Sequence, residues 1–176
     1  SDHEQHDAHV HGEAQMLIAL DGTSLELEFK SPAMNIVGFE HQPKSEKQVN
    51  AVKAAMEILK QPKQIFTLSS DAQCNPVSIE VESPLAKHDG DKHDHDHDHK
   101  HDDDHKHDDD HMHEAESHSD FTAHYSFRCE QPSELRKIEF DLFKRFPGTE
   151  QLEVQSISKK GQQKIDLTAG NNTLEL

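Results

Sequence analysis

The chain has 176 residues, 31% of them hydrophobic, with no Trp and a formal net charge of −17, a length that suits one domain or two small ones with modest cores. That acidity repels nucleic acid phosphates and anionic lipid, which excludes both as partners and leaves cations in their place. No apolar run approaches the roughly 18 residues of a membrane span, so membrane insertion is not expected, and with no signal-peptide pattern the chain reads as a mature form whose leader is already removed.

The polar tail "SDHEQHDAHVHGEA" leads into "QMLIAL", the turn "DGT" and "SLELEFKS". Leu25, Leu27 and Phe29 alternate with Glu26 and Glu28, the period of a half-buried strand, and Asp21-Gly22 carries hairpin turn chemistry. Two antiparallel strands are therefore expected first. Ser45 and Gln48 fit a capping box, and Val49, Val52, Met56 and Leu59 follow at helical spacing until Pro62, which predicts one amphipathic helix over Ser45 to Lys60 packed on the sheet. "QIFTLSS" and "VSIEVES" read as short strands flanking the polar turn "DAQCNP", and Pro84 and Lys87 mark the exit into a low-complexity segment.

Order resumes near Phe121. "FTAHYSFRCE" puts Phe121, Ala123, Tyr125 and Phe127 on one face, and "LRKIEFDLF" does the same for Ile138, Phe140 and Leu142. "QLEVQSIS", "QKIDLTA" and "NTLEL" complete a series of short strands separated by Gly- or Asn-containing turns. The fold class is α+β, mostly antiparallel β with one main amphipathic helix, interrupted by a disordered His/Asp-rich insert. The parts are an N-terminal 1–85, the insert 86–119 and a C-terminal, mostly β 120–176.

Eleven of the 17 histidines fall between His88 and His118, four in the first eleven residues, and only His41 and His124 elsewhere. Residues 86–119 carry thirteen Asp/Glu against four Lys, a local charge of −9. Neutral imidazole is a good ligand for zinc, copper and nickel, and carboxylates add oxygen ligands and acceptors for the ring N–H. In an extended chain, alternate side chains share a face, so His93, His95, His97, His99 and His101 can offer several imidazoles to one ion, and His105, His107, His111 and His113 continue the pattern. Shifting the ion by two residues recreates the site, so several exchangeable sites without fixed geometry are expected. Zn²⁺ is the expected ion, and Cu²⁺ and Ni²⁺ bind such clusters in vitro as well. A solvated acidic spacer would need aspartate alone, and a pH sensor is the remaining competitor.

A more ordered constellation begins at "HVHGEA", where an extended backbone projects His9 and His11 from one face towards one ion at roughly 2.0 to 2.1 Å. His41 in "GFEH", between the second strand and the helix, is the third candidate, and His118, before the next ordered block, the fourth. His124 lies on the polar side of its strand and reads as merely exposed, and His3 and His6 sit in a frayed tail. "HEQH" is one residue short of the HExxH metalloprotease helix, and no other nucleophile or phosphate-loop motif is present. A zinc hydrolase with Glu13 or Glu40 as general base is the competing class, and zinc storage or detoxification a third. Cys74 and Cys129 form no CxxC or zinc-finger cluster, and stand as two buried thiols or one disulfide, the exported character of the chain favouring the latter.

"HVHGEAQMLIALDGTSLELEFKSPAMNIVGFEH", the cysteines of "AQCNPVSIEVESP" and "HYSFRCEQP", and "FDLFKRFPGTEQLEVQ" resemble the zinc-regulated periplasmic ZrgA proteins of Gram-negative bacteria. The resemblance covers both ordered parts. It implies a periplasmic, non-catalytic zinc-binding protein that contributes to zinc acquisition beside the substrate-binding protein of a zinc ABC transporter. It carries His9, His11, His41 and His118 over as ligands and pairs Cys74 with Cys129.

Overall fold

The computed structural model describes residues 10–86 and 119–176. Within them β1 (Glu13–Asp21) and β2 (Ser24–Pro32) form the expected hairpin, closed by Gly22 and Thr23 with Asp21 opposite Ser24. A short helix α1 (Ala33–Val37) follows, then α2 (Glu46–Leu59), capped by the Ser45 hydroxyl, which accepts from the Gln48 amide at 3.2 Å. The Gln48 side chain reaches back to the Lys44 N–H rather than to that of Ser45, so the cap spans one residue more than a standard capping box. Pro62 does not simply end the helical pattern but opens a further turn, α3 (Pro62–Ile65), where its missing N–H costs nothing.

Beyond α3 come β3 (Phe66–Leu68), β4 (Cys74–Glu82), β5 (Asp120–Cys129), β6 (Lys137–Phe140), α4 (Leu142–Arg145), β7 (Gln151–Ser158), β8 (Gly161–Leu167) and β9 (Thr173–Glu175). Six strands form one sheet in the order β4-β5-β2-β1-β7-β8, and β3-β6-β9 form a smaller one. Strands from both sides of the insert thus interleave. The large sheet is antiparallel except for β1 against β7, which run parallel with Glu13 opposite Gln151.

The strands expected at "QIFTLSS" and "VSIEVES" are present as β3 and β4, but they do not pair, and the end of "LRKIEFDLF" is not a strand. "QIFTLSS" and "VSIEVES" do not make a hairpin across "DAQCNP": β3 belongs to the small sheet and β4 to the large one, because a 3₁₀ turn at Ser70–Ala72 and Gln73 at φ 53° redirect the chain. Cys74, Asn75 and Pro76 belong to β4 itself. Leu142 does not continue the Ile138 and Phe140 face, since β6 ends at Phe140 and α4 begins two residues later. Leu142 and its neighbour Phe143 are both buried, which a helical turn permits and a strand with one solvated face does not. Asp141 marks the change, with its N–H bonded to the Ile65 carbonyl and its carboxylate to the Thr67 hydroxyl.

Alternation sends Met16, Ile18, Leu25, Leu27, Phe29, Phe121 and Tyr125 to the inner face of the large sheet, where they meet Val52, Ala55 and Leu59 of α2 and Phe66, Ile138 and Phe140 of the small sheet in one core. Cys74 and Cys129 sit directly opposite each other on β4 and β5 and are bridged. Their separation of 55 positions corresponds to about 4 kcal/mol of chain entropy removed from the unfolded state. Inside the core, the Tyr125 hydroxyl donates to the Leu59 carbonyl at 2.5 Å, pairing one of the acceptors that a helix C-terminus leaves over. Burial pushes the Tyr125 phenol pKa up, so it stays a donor.

Tyr125→Phe should keep the fold and lower unfolding free energy by about 1–3 kcal/mol, because it strands a buried carbonyl. Urea unfolding checks this, and an unchanged midpoint would mean that the Leu59 carbonyl finds another donor.

Candidate metal centre

Parallel pairing of β1 with β7 brings the entrances of both strands to the same end of the sheet. There the Gly12 carbonyl accepts from the amides of Glu150 at 2.8 Å and Gln151 at 3.0 Å. The Gly12 N–H donates to Asn35 Oδ1 at 2.7 Å, and Asn35 Nδ2 donates to the Glu13 carbonyl at 3.0 Å and to Ser31 Oγ at 3.2 Å. Asn35 is only 4% exposed, and its bonds to Gly12 and Ser31 are buried, so those two groups would lack water if the amide were removed. Gly148 packs on the same residue: a Cβ there would fall 2.7 Å from the Asn35 carbonyl oxygen. The "HVHG", "SPAMNIV" and "FPGTE" stretches therefore converge on one buried amide.

From that junction the chain reaches the histidines. Gly38 closes α1 at φ 84°, its N–H bonded to the Met34 carbonyl at 3.1 Å, a left-handed turn that glycine adopts without a Cβ penalty. It delivers Phe39, Glu40 and His41 to the surface. His11 Nε2 lies 3.1 Å from Glu40 Oε1, with side-chain exposures of 58% and 42%. Glu40 is held from behind, because its backbone carbonyl accepts from the Ser119 hydroxyl. Ser119 in turn accepts the Ala33 amide at 2.8 Å. The His41 ring stacks on Phe39 with centroids 5.2 Å apart, and its Nδ1 lies 2.8 Å from the Gln42 carbonyl oxygen.

His11 and His41 were expected to face one ion together with His9 and His118. The structure gives His11 a carboxylate partner and His41 a backbone partner. His9, His118 and the insert histidines His93, His95, His97, His99, His101, His105, His107, His111 and His113 lie outside the described residues. Among the described residues, no group of three or more His, Cys, Asp or Glu is placed to hold a metal ion. A tetrahedral site needs more donors than His11 and Glu40 supply, so this pair is at most part of one.

His124 is exposed, as its strand position indicates, and also pairs with a carboxylate. Its Nε2 lies 2.9 Å from Glu26 Oε2, which accepts the Ser126 hydroxyl at 2.6 Å as well. Sequence reasoning missed Asn35, whose one signal is a lone amide within the apolar run "AMNIVGF", and Ser119, which carries no signal. Glu40 was weighed only as a general base, whereas the structure makes it the partner of His11.

The model of the ZrgA family, described as zinc uptake proteins, matches residues 8–176. A comparison with curated proteins finds no match.

Asn35→Ala should cost about 1–3 kcal/mol by orphaning the buried Gly12 amide. Gly148→Ala should cost about as much through overpacking against the Asn35 backbone. Thermal unfolding of the two variants checks both, and a melting curve like that of the parent chain would show that the junction is not what holds the three stretches together.

Proposed function

Because the chain belongs to the ZrgA family of zinc uptake proteins, we propose that it is a periplasmic zinc-binding protein without catalytic activity that supplies Zn²⁺ to a zinc ABC uptake system. In this reading His9, His11, His41 and His118 form an ordered site, and the histidines of the 86–119 insert collect ions loosely. Zinc then passes to the transporter's substrate-binding protein by ligand exchange, since incomplete, flexible ligand sets release metal readily.

The observation that carries the reading is the His11–Glu40 pair, anchored by Asn35 through Gly12 and by Ser119 through the Glu40 carbonyl. An imidazole bonded to a carboxylate at a rigid position is the usual arrangement of a metal-ligating histidine. The two candidates outside the described residues adjoin it along the chain: His9 precedes His11 by two positions, and His118 directly precedes Ser119. The Cys74–Cys129 bridge supports an oxidising compartment such as the periplasm. An insert attached at both ends keeps its imidazoles at high local concentration near the ordered site, which favours transfer from one to the other. By intrinsic affinity Cu²⁺ and Ni²⁺ compete for the same nitrogens, so selection of zinc rests on availability and geometry.

Competitive titration with a zinc chelator tests the proposal on three proteins: the intact chain, a variant with the ten histidines from His88 to His113 replaced by Gln, and His11→Gln/His41→Gln. The insert variant should lose several weaker sites and keep one tight one, and the double variant should lose the tight site alone. Disappearance of every site with the insert histidines would reduce His11 and His41 to ordinary surface residues.

A further inference from the structure

We propose that the outer face of the large sheet is a docking surface for a partner protein that presents an apolar side chain flanked by lysine or arginine. The proposal goes beyond zinc binding and needs no ion. Helix α2 and the small sheet pack on the inner face, and alternation turns the remaining side chains to the opposite one. There Leu17 shares a rung of the β1–β7 ladder with Gln155, and Ala19 shares the next outward rung with Ile157. Leu17 and Ile157 therefore stand diagonally across one ladder, 47% and 49% exposed. They line a groove of about 680 Å³, with Glu26, Glu28 and His124 on its β2–β5 side and Gln162 and Lys164 on its β8 side. Val10 and Val77, the other exposed large hydrophobics among the described residues, lie outside it. Neighbouring exposed aliphatics inside a polar rim are the mark of an interaction surface.

Charge decides what fits there. Register sets Glu80, His124 and Glu28 side by side across β4, β5 and β2, with Glu26 on the next outward rung. His124 pairs with Glu26 at 2.9 Å, whereas Glu28 and Glu80 form no ion pair among the described residues. The two lysines of this sheet turn to other carboxylates, Lys30 to Asp120 at 3.6 Å and Lys164 to Glu153 at 3.7 Å. Arg128 stands a rung beyond Glu26, opposite Ser24, and it too forms no ion pair among the described residues. The acidic side of the groove thus lacks a cation from its own sheet. Glu28 is also the register partner of Leu17, so one segment of a partner reaches the carboxylate with its cation and the aliphatic pair with its apolar side chain. Such an interface is apolar at its centre and charge-complementary at its rim. A second copy of this chain fits less well, because two chains of net charge −17 repel each other.

The test is nuclear magnetic resonance of the full chain with labelled leucine and isoleucine methyls, titrated with three synthetic peptides of equal length: alternating Lys and Leu, alternating Lys and Ser, and alternating Glu and Leu. The Lys-Leu peptide should shift the Leu17 and Ile157 methyls saturably, with an affinity that falls as salt is raised. The other two should bind at least about tenfold more weakly. Leu17→Thr/Ile157→Thr keeps strand propensity and should weaken Lys-Leu binding about tenfold. Glu28→Gln/Glu80→Gln should weaken it about fivefold and flatten the salt dependence. Dispersed methyl signals from the buried Leu25 and Leu27 check that the sheet is intact in each variant. Equal binding of the Lys-Leu and Lys-Ser peptides, or binding undiminished in both variants, would mean that the acidic chain attracts cations at large and would overturn the proposal. So would broadening of the Leu17 and Ile157 methyls with rising protein concentration alone, together with a dimer in sedimentation, which would make this face an interface between copies.

Discussion

The buried amide of Asn35 is the constraint on which the candidate centre depends. Its two polar atoms reach the Gly12 N–H, the Glu13 carbonyl and the Ser31 hydroxyl, tying the start of β1, the end of β2 and α1 together. The parallel ladder between β1 and β7 adds a third partner, since Gly12 also accepts both amides that begin the β7 side. With this junction, His11 stands at a defined place opposite Glu40, and a short polar side chain in the interior sets the position of an exposed one.

Much of the architecture is legible from periodicity alone. The hairpin of β1 and β2, the strand β5 and the helix α2 carry clean alternation or helical spacing because each has one buried and one solvated face. Reading failed where that condition lapses. Leu142 and Phe143 are adjacent and both buried, so a short helical turn looked like the end of a strand. The left-handed Gln73 gave no warning that β3 and β4 part company, since nothing in a sequence announces a non-glycine residue at positive φ. The parallel pairing of β1 with β7 joins segments far apart in the chain, and local pattern carries no information about which strands become neighbours.

The contacts of the candidate histidines were not legible in the sequence. The HxH spacing and the isolated histidine of "GFEH" single out His11 and His41, but a histidine's neighbour across space is not written in its own segment. Glu40 turns out to face His11, while His41, one residue on, bonds locally to Gln42 and stacks on Phe39. Acidic residues are common in this chain, so composition could not single out Glu40 from the other carboxylates. Only the backbone that presents it, closed behind by Ser119, does so.

The placement of the insert follows from the order of strands. β4 ends at Glu82 and β5 begins at Asp120, and the two are adjacent and antiparallel, with Glu82 opposite Thr122 near one end and the bridged pair Cys74 and Cys129 at the other. The long acidic segment is thus the connection of an ordinary hairpin whose far end is covalently closed. The entropy of closing a connection between two strands grows only with the logarithm of its length, each doubling adding about 0.6 kcal/mol. Such a hairpin can lengthen or shorten its histidine-bearing loop over a wide range at little expense to the sheet, so that the number of imidazoles is set almost independently of folding stability.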